Sequence, residues 1–236
     1  MEYTVPLALV DFFPVAFTAA GLFYVARMVN HLNPAQGRVA ALGAVLTVAG
    51  GFFKALWKLV MATSGGATDL NWMEDGLFVW MAPGYTLLAW SVWQAIRMAR
   101  GQKVRHPWLA PAAFIAVMFA ASIYLFSTRP DSPGWERILL SVMVLATVIT
   151  GIFLVVFAFR QKLPLAGWLF ILNLLGIFLL HGLARLPEQP ISLQWIEEGI
   201  IAVAWLAFAW GAYLIYQHTR VTFGVDAAQV RQSATA

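Results

Sequence analysis

The stretch "RILLSVMVLATVITGIFLVVFAFR", Arg137 to Arg160, carries no charged side chain between its two flanking arginines. A helix crosses the apolar layer of a bilayer in roughly 20 residues, and inside lipid its backbone must satisfy its own hydrogen bonds. The stretch therefore reads as a membrane-spanning helix. Similar runs recur along the chain, and the sequence predicts seven spans near 6–29, 38–62, 75–97, 108–127, 137–159, 164–185 and 196–217. With 61% hydrophobic and only 11% charged residues over 236 positions, the chain has too few charges to cover a soluble surface. The fold class expected is all-α, a polytopic membrane protein.

The start, "MEYTVPLALVDFF", places an acid where a signal peptide would carry bases, and no small-residue cleavage pattern follows. The first apolar segment is expected to stay as a helix. There is no cysteine, which excludes disulfides, thiolate metal sites and cysteine nucleophiles.

Assigning the connections alternately to the two sides of the membrane separates the charges. One side receives Arg27, Arg38, Arg97, Arg100, Lys103, Arg105, Arg160, Lys162, Arg220 and Arg231; the other collects every acid except Asp226. Cytoplasmic connections are enriched in Lys and Arg, so the expected orientation is N-terminus outside and C-terminus cytoplasmic. The net charge of +4 is accounted for by this topology, and nothing supports nucleic-acid binding.

One phrase occurs twice. "LNWMEDG" (70–76) returns as "LQWIEEG" (193–199), and the same offset pairs Ala89 with Ala212, Gln94 with Gln217 and Arg97 with Arg220. The matched register covers a whole span with both ends, which suggests an internal duplication. Spans 1–3 and 5–7 would then be equivalent triplets in the same orientation, with span 4 as the inverting linker. The division expected is 1–103 for the first triplet, 104–133 for the linker span, 134–220 for the second triplet and 221–236 for a disordered cytoplasmic tail.

This 3+1+3 parallel repeat resembles the plan of the SWEET sugar transporters and, more loosely, that of the seven-helix opsins. The likeness is to plan alone, because spans 1 and 5 carry no Pro-Gln pair and span 7, "WIEEGIIAVAWLAFAWGAYLIYQ", has no lysine. A retinal Schiff base therefore cannot form in span 7.

Ionisable groups at membrane depth are costly and count as functional candidates. Lys54 and Lys58 lie four apart on one face of span 2, a face continued backwards by Gly50, Thr47 and Gly43. The offset sets Asn173 of span 6 against Gly50 and His181 against Lys58, and Arg185 continues the same stripe. Spans 3 and 7 supply Glu74 with Asp75 and Glu197 with Glu198. Asn71 and Glu74 have the spacing of an N-cap and its N3 acid, so capping explains one acid of each pair and leaves the other over. Closing each triplet would put Lys54 and Lys58 beside Glu74 and Asp75, and His181 and Arg185 beside Glu197 and Glu198. In span 1, Pro14 follows Asp11 and would direct it toward the outer mouth. In span 3, Pro83 and Gly84 predict a hinge near mid-membrane, where span 7 has Leu206 and Ala207.

The function expected is a small secondary transporter whose outward-facing acidic and basic vestibule binds a small molecule or ion and can exchange protons. Two alternatives stand beside it. One is a non-catalytic seven-helix sensor or membrane-complex subunit. The other is a membrane-embedded enzyme with Glu197 or Glu74 as general base and a metal held by His181 with Glu197 or Glu198. No other cofactor is expected, and no phosphate-binding loop, H-E-x-x-H pair or G-x-S-x-G elbow is present. The partners implied are the bilayer and the solute, with self-association allowed. Of the eleven tryptophans, Trp57, Trp80, Trp90, Trp205 and Trp210 fall at apolar depth, where they serve core packing or line an aromatic pocket.

Overall fold

The computed structural model describes residues 4–68, 70–102, 106–183, 186 and 190–234; the side chains of Asn71 and of residues 223–234 are outside the description. Eight helices account for nearly all of it: α1 Val5–Val10, α2 Phe12–Leu32, α3 Pro34–Ser64, α4 Asn71–Met98, α5 Leu109–Thr128, α6 Gly134–Arg160, α7 Pro164–Leu183 and α8 Ile191–Ala234. No strand occurs among the described residues. The all-helical class stands, and the chain is compatible with a polytopic membrane protein.

By length and composition, six helical segments can cross a bilayer: α1 with α2, α3, α5, α6, α7, and α8 as far as Thr222. Helix α4 has 28 residues but is less apolar. Its setting explains this. It packs between α3 and α6 and buries Ala82, Tyr85, Leu88, Ser91, Val92, Gln94 and Ala95, so much of its surface meets protein rather than lipid.

Local chemistry sets the ends of the helices. At α3, Pro34 occupies the first turn, and the Asn33 Oδ1 accepts hydrogen bonds from the backbone N–H groups of Ala35 and Gln36 at 2.9 and 3.2 Å. Gly65 ends the helix in a left-handed conformation, φ 59°, which suits a residue without a Cβ. The expected cap at Asn71 is not the one used. Leu70 holds the cap position of α4 without a side-chain hydrogen bond, and Asn71 is already helical. Helix α8 starts at Ile191, ahead of the Gln194 that the repeat offset would give, so Glu197 and Glu198 sit deeper in their helix than Glu74 and Asp75 do in theirs. At its other end α8 continues to Ala234, past the boundary expected at 220.

Six long helices form a closed ring in the order α2, α3, α4, α6, α7, α8 and back to α2, and α5 packs outside the ring, chiefly on α6. Close approach is carried by small residues, the usual device where lipid supplies no hydrophobic drive between helices. A Cβ on Gly84 of α4 would meet the Gly43 O and the Thr47 N of α3 at 2.9 Å each. A Cβ on Gly21 of α2 would strike the Phe208 ring, so this glycine sets the contact with α8. Between α7 and α8, the Asn173 Nδ2 donates to the Ala204 O at 3.0 Å, both groups buried. The largest core cluster joins Leu22, Val25 and Met28 of α2 to Leu88 and Val92 of α4, Leu154 and Phe157 of α6, Phe170 of α7 and Phe208 of α8. Apolar side chains such as Phe23, Val45, Val117, Ile123, Leu145, Leu175 and Val203 cover the outside, as a lipid-facing surface requires.

Candidate functional site

Three charged side chains from three segments meet at one level of the ring. The Lys58 Nζ on α3 lies 2.7 Å from the Asp11 Oδ2 and 3.2 Å from the Glu198 Oε1. Lys58 lies six residues from the end of α3, Asp11 six from the start of α1 and Glu198 seven from the start of α8. At a rise of about 1.5 Å per residue, each is roughly 10 Å from the end of its span.

Each group arrives there for a local reason. Pro14 has no N–H to give to the Val10 carbonyl and its ring crowds that oxygen, so the first span is broken between α1 and α2. Asp11 occupies the break, with its backbone N–H on the Leu7 O at 3.3 Å. The parallel packing of α2 on α8, set by Gly21 against Phe208 and Ala209, carries Asp11 to the level of Glu198. Lys58 extends across from α3.

The side chains of Lys58, Asp11 and Glu198 are only 17%, 14% and 11% exposed. They belong with desolvated pairs, where loss of one partner leaves a costly uncompensated charge, rather than with surface pairs of small net effect. The Glu198 Oε2 is buried and has no hydrogen-bond partner among the described residues, and the same holds for the Glu197 Oε1.

Lys54, one turn deeper on α3, has no ion pair within 4 Å among the described residues, although Glu74, Asp11 and Glu198 are all within electrostatic range of it. Glu74 is half-buried and Asp75 is exposed. Asn173 is in the core and is committed to the Ala204 carbonyl. His181 is exposed, with its Nδ1 3.0 Å from the Ile177 O of its own helix, and no contact joins it to Glu197 or Glu198. Arg185 lies outside the described residues. Pro83 is inside a helix that runs unbroken from Asn71 to Met98, and Gly84 is used for the contact with α3.

The structure thus gathers Lys58, Lys54, Glu198 and Glu74 from the residues singled out by sequence, adds Asp11, and sets Asp75 and His181 apart. Asp11 was signalled only by its place before Pro14. The arrangement offers a cation shared by two carboxylates, one of which keeps a free acceptor oxygen. Such a group can take up a proton or a small cation. No group of three or more His, Asp or Glu with metal-binding proximity occurs among the described residues.

Comparison of the chain with models of known families, with characterised proteins and with solved structures finds no match to any of them.

Proposed function

We propose that the protein is a small proton-coupled secondary transporter, N-terminus outside, whose coupling site is the Asp11–Lys58–Glu198 triad. The observation that carries this reading is the shared Lys58 Nζ, 2.7 Å from Asp11 and 3.2 Å from Glu198, beside a buried Glu198 Oε2 that accepts no hydrogen bond among the described residues. An ionised group at membrane depth is expensive, and chains of carboxylates with a cation are a common proton-relay design.

The packing order favours the 3+1+3 repeat. Span 2 packs on spans 1 and 3 as span 6 packs on spans 5 and 7; the two triplets meet at α4 with α6 and at α8 with α2, and the fourth span stays outside. This adjacency is unchanged by a twofold axis along the membrane normal. The triad spans one seam, α2 with α8. By the offset of 123 between Leu70 and Leu193, its counterparts at the other seam are Gly134 for Asp11, His181 for Lys58 and Asp75 for Glu198. Gly134 has no side chain, and His181 and Asp75 are exposed. The duplicated plan therefore keeps a single charged site.

In transport the triplets would rock against each other about the seams. A proton taken by the Glu198 carboxylate at Oε2 neutralises one carboxylate partner of Lys58, leaves the Asp11 pair in place and loosens the α2–α8 seam. Loss of the proton restores the clasp. A second reading is supported by the shortness of the Asp11 pair: a structural clasp in a non-catalytic subunit.

Uptake of a panel of radiolabelled sugars, amino acids and organic acids into proteoliposomes separates the two. The transporter reading expects accumulation of at least one solute class, lost in Glu198→Gln and in Asp11→Asn and kept in Asp75→Asn. Absence of uptake of every solute by correctly folded wild type favours the clasp.

A further inference from the structure

At the end of the bundle away from the triad, α4, α5 and α6 enclose an open groove of about 360 Å³, within the range of ligand pockets. It exists because α5 lies outside the ring. The Trp90 Nε1 donates to the Pro107 O at 2.9 Å, tying the connection before α5 to α4, and the gap between the helices is lined by Trp90, Trp93, Pro111, Phe114, Ile149 and Phe153. The lining is almost wholly apolar, and half-exposed Phe114 places its mouth on the lateral, lipid-facing surface.

One stripe of α4 runs the length of this groove. Thr86, Trp90 and Trp93 line it, and Arg97 follows at the next position of the same face, a spacing of four, three and four residues. The stripe is on the order of 16 Å long. The Arg97 guanidinium stacks over the Trp93 ring at 5.0 Å, and its Nε donates to the Gln102 Oε1 at 2.8 Å. Its two terminal nitrogens make no protein hydrogen bond among the described residues, and exposed Arg100 stands one turn on. Arg97 therefore presents donors in the fork geometry that suits a phosphate. The sequence from Gly76 to Pro130 contains no Asp or Glu and adds Lys103 and Arg105 to the same connection. An apolar slot thus ends at a cation, on a stretch of sequence that is basic and free of acids.

We propose that this groove is a binding site for an anionic phospholipid, with one acyl chain between α4, α5 and α6 and the headgroup phosphate on Arg97. Charge complementarity selects this occupant over a zwitterionic lipid, and the lateral opening selects a lipid over a soluble ligand. The site is separate from the triad and does not depend on the transporter reading.

The test is native mass spectrometry of the delipidated full chain in detergent, titrated with phosphatidylglycerol or with phosphatidylcholine of the same acyl chains. The wild type is expected to retain one phosphatidylglycerol about five-fold more tightly than phosphatidylcholine, the preference carried by a basic residue or so at a lipid headgroup. Arg97→Gln should equalise the two lipids. Ala110→Trp, which fills the groove from an exposed position, should abolish the retained lipid whatever its headgroup. Equal retention of both lipids by wild type, a preference that survives Arg97→Gln, or a lipid still retained by Ala110→Trp would each overturn the proposal. Melting temperatures of both variants confirm that they are folded.

Discussion

Replacing Lys58 by methionine is the most telling perturbation of the triad. The side chain keeps its approximate length and loses its charge, while Asp11 and Glu198, 2.7 and 3.2 Å from the Nζ in the wild type, remain. The two carboxylates, close enough to act on each other directly, then lack the cation between them, and at an effective dielectric constant of about 20 their repulsion when both are ionised is about 3–4 kcal/mol. That agrees with the ~3–5 kcal/mol observed when one partner of a buried pair is removed. For a chain of this size the expected fall in melting temperature is roughly 6–12 °C. The combined variant Asp11→Asn, Lys58→Met, Glu198→Gln removes the charges together, and replacing a buried ion cluster by neutral groups is often close to neutral, so it should recover most of the loss. The assay is thermal unfolding in detergent followed by tryptophan fluorescence. A melting temperature for Lys58→Met within 2 °C of wild type, or a triple variant as unstable as Lys58→Met, would refute the reasoning that these charges depend on one another.

Four further outcomes follow from the packing. Gly84→Ala should destabilise by about 1–3 kcal/mol, because its Cβ would press on the backbone of α3 at 2.9 Å, whereas Gly182→Ala, with nothing within 4 Å, should be neutral or slightly stabilising in the same melting assay. Asn173→Ala loses the buried hydrogen bond to the Ala204 carbonyl and should cost about 1 kcal/mol, a fall of roughly 2–4 °C. His181→Ala should leave the melting temperature unchanged and solute uptake within two-fold of wild type, since the ring is exposed and, among the described residues, lies within hydrogen-bond distance of its own helix alone; a ten-fold loss of uptake would return His181 to the site. Pro83→Ala should leave ligand affinity unchanged and slow the uptake rate if mid-helix bending is used in the cycle; equal rates would reduce Pro83 to a packing role.

The helices were legible because a bilayer demands long uncharged runs, and those runs predicted α2 through α8 to within a few residues at most ends, although six of the seven expected spans, all but α4, are long and apolar enough to cross a bilayer. The boundaries that shifted have physical causes. Helix α4 starts at Asn71 with no side-chain cap, its first turn closed by the Met73 N–H on the Leu70 O at 2.8 Å, and α8 starts early at Ile191, just after Pro190, where a helix can begin without that proline's N–H. Lys58 was visible as a charge in an apolar run. Its partners were less so. Sequence proximity suggested Glu74 and Asp75 on the next span, yet the lysine reaches Asp11 and Glu198 across the seam between first and last spans, a contact made by the parallel packing of α2 on α8. Nothing local encodes that register except small residues such as Gly21, whose partner Phe208 cannot be read from a single sequence. His181 shows the converse. The offset of 123 set it against Lys58, but its ring is exposed and lies against its own helix.

The central claim, that the triad handles protons and does more than hold helices together, is tested most directly by proton flux in pyranine-loaded proteoliposomes. The wild type is compared with the combined variant Asp11→Asn, Lys58→Met, Glu198→Gln under inward gradients of the same solute panel. A solute that drives internal acidification in wild type is expected to drive none in the triple variant, even though the variant melts near the wild-type temperature. Undiminished acidification by the triple variant would contradict it and leave the triad as a clasp alone.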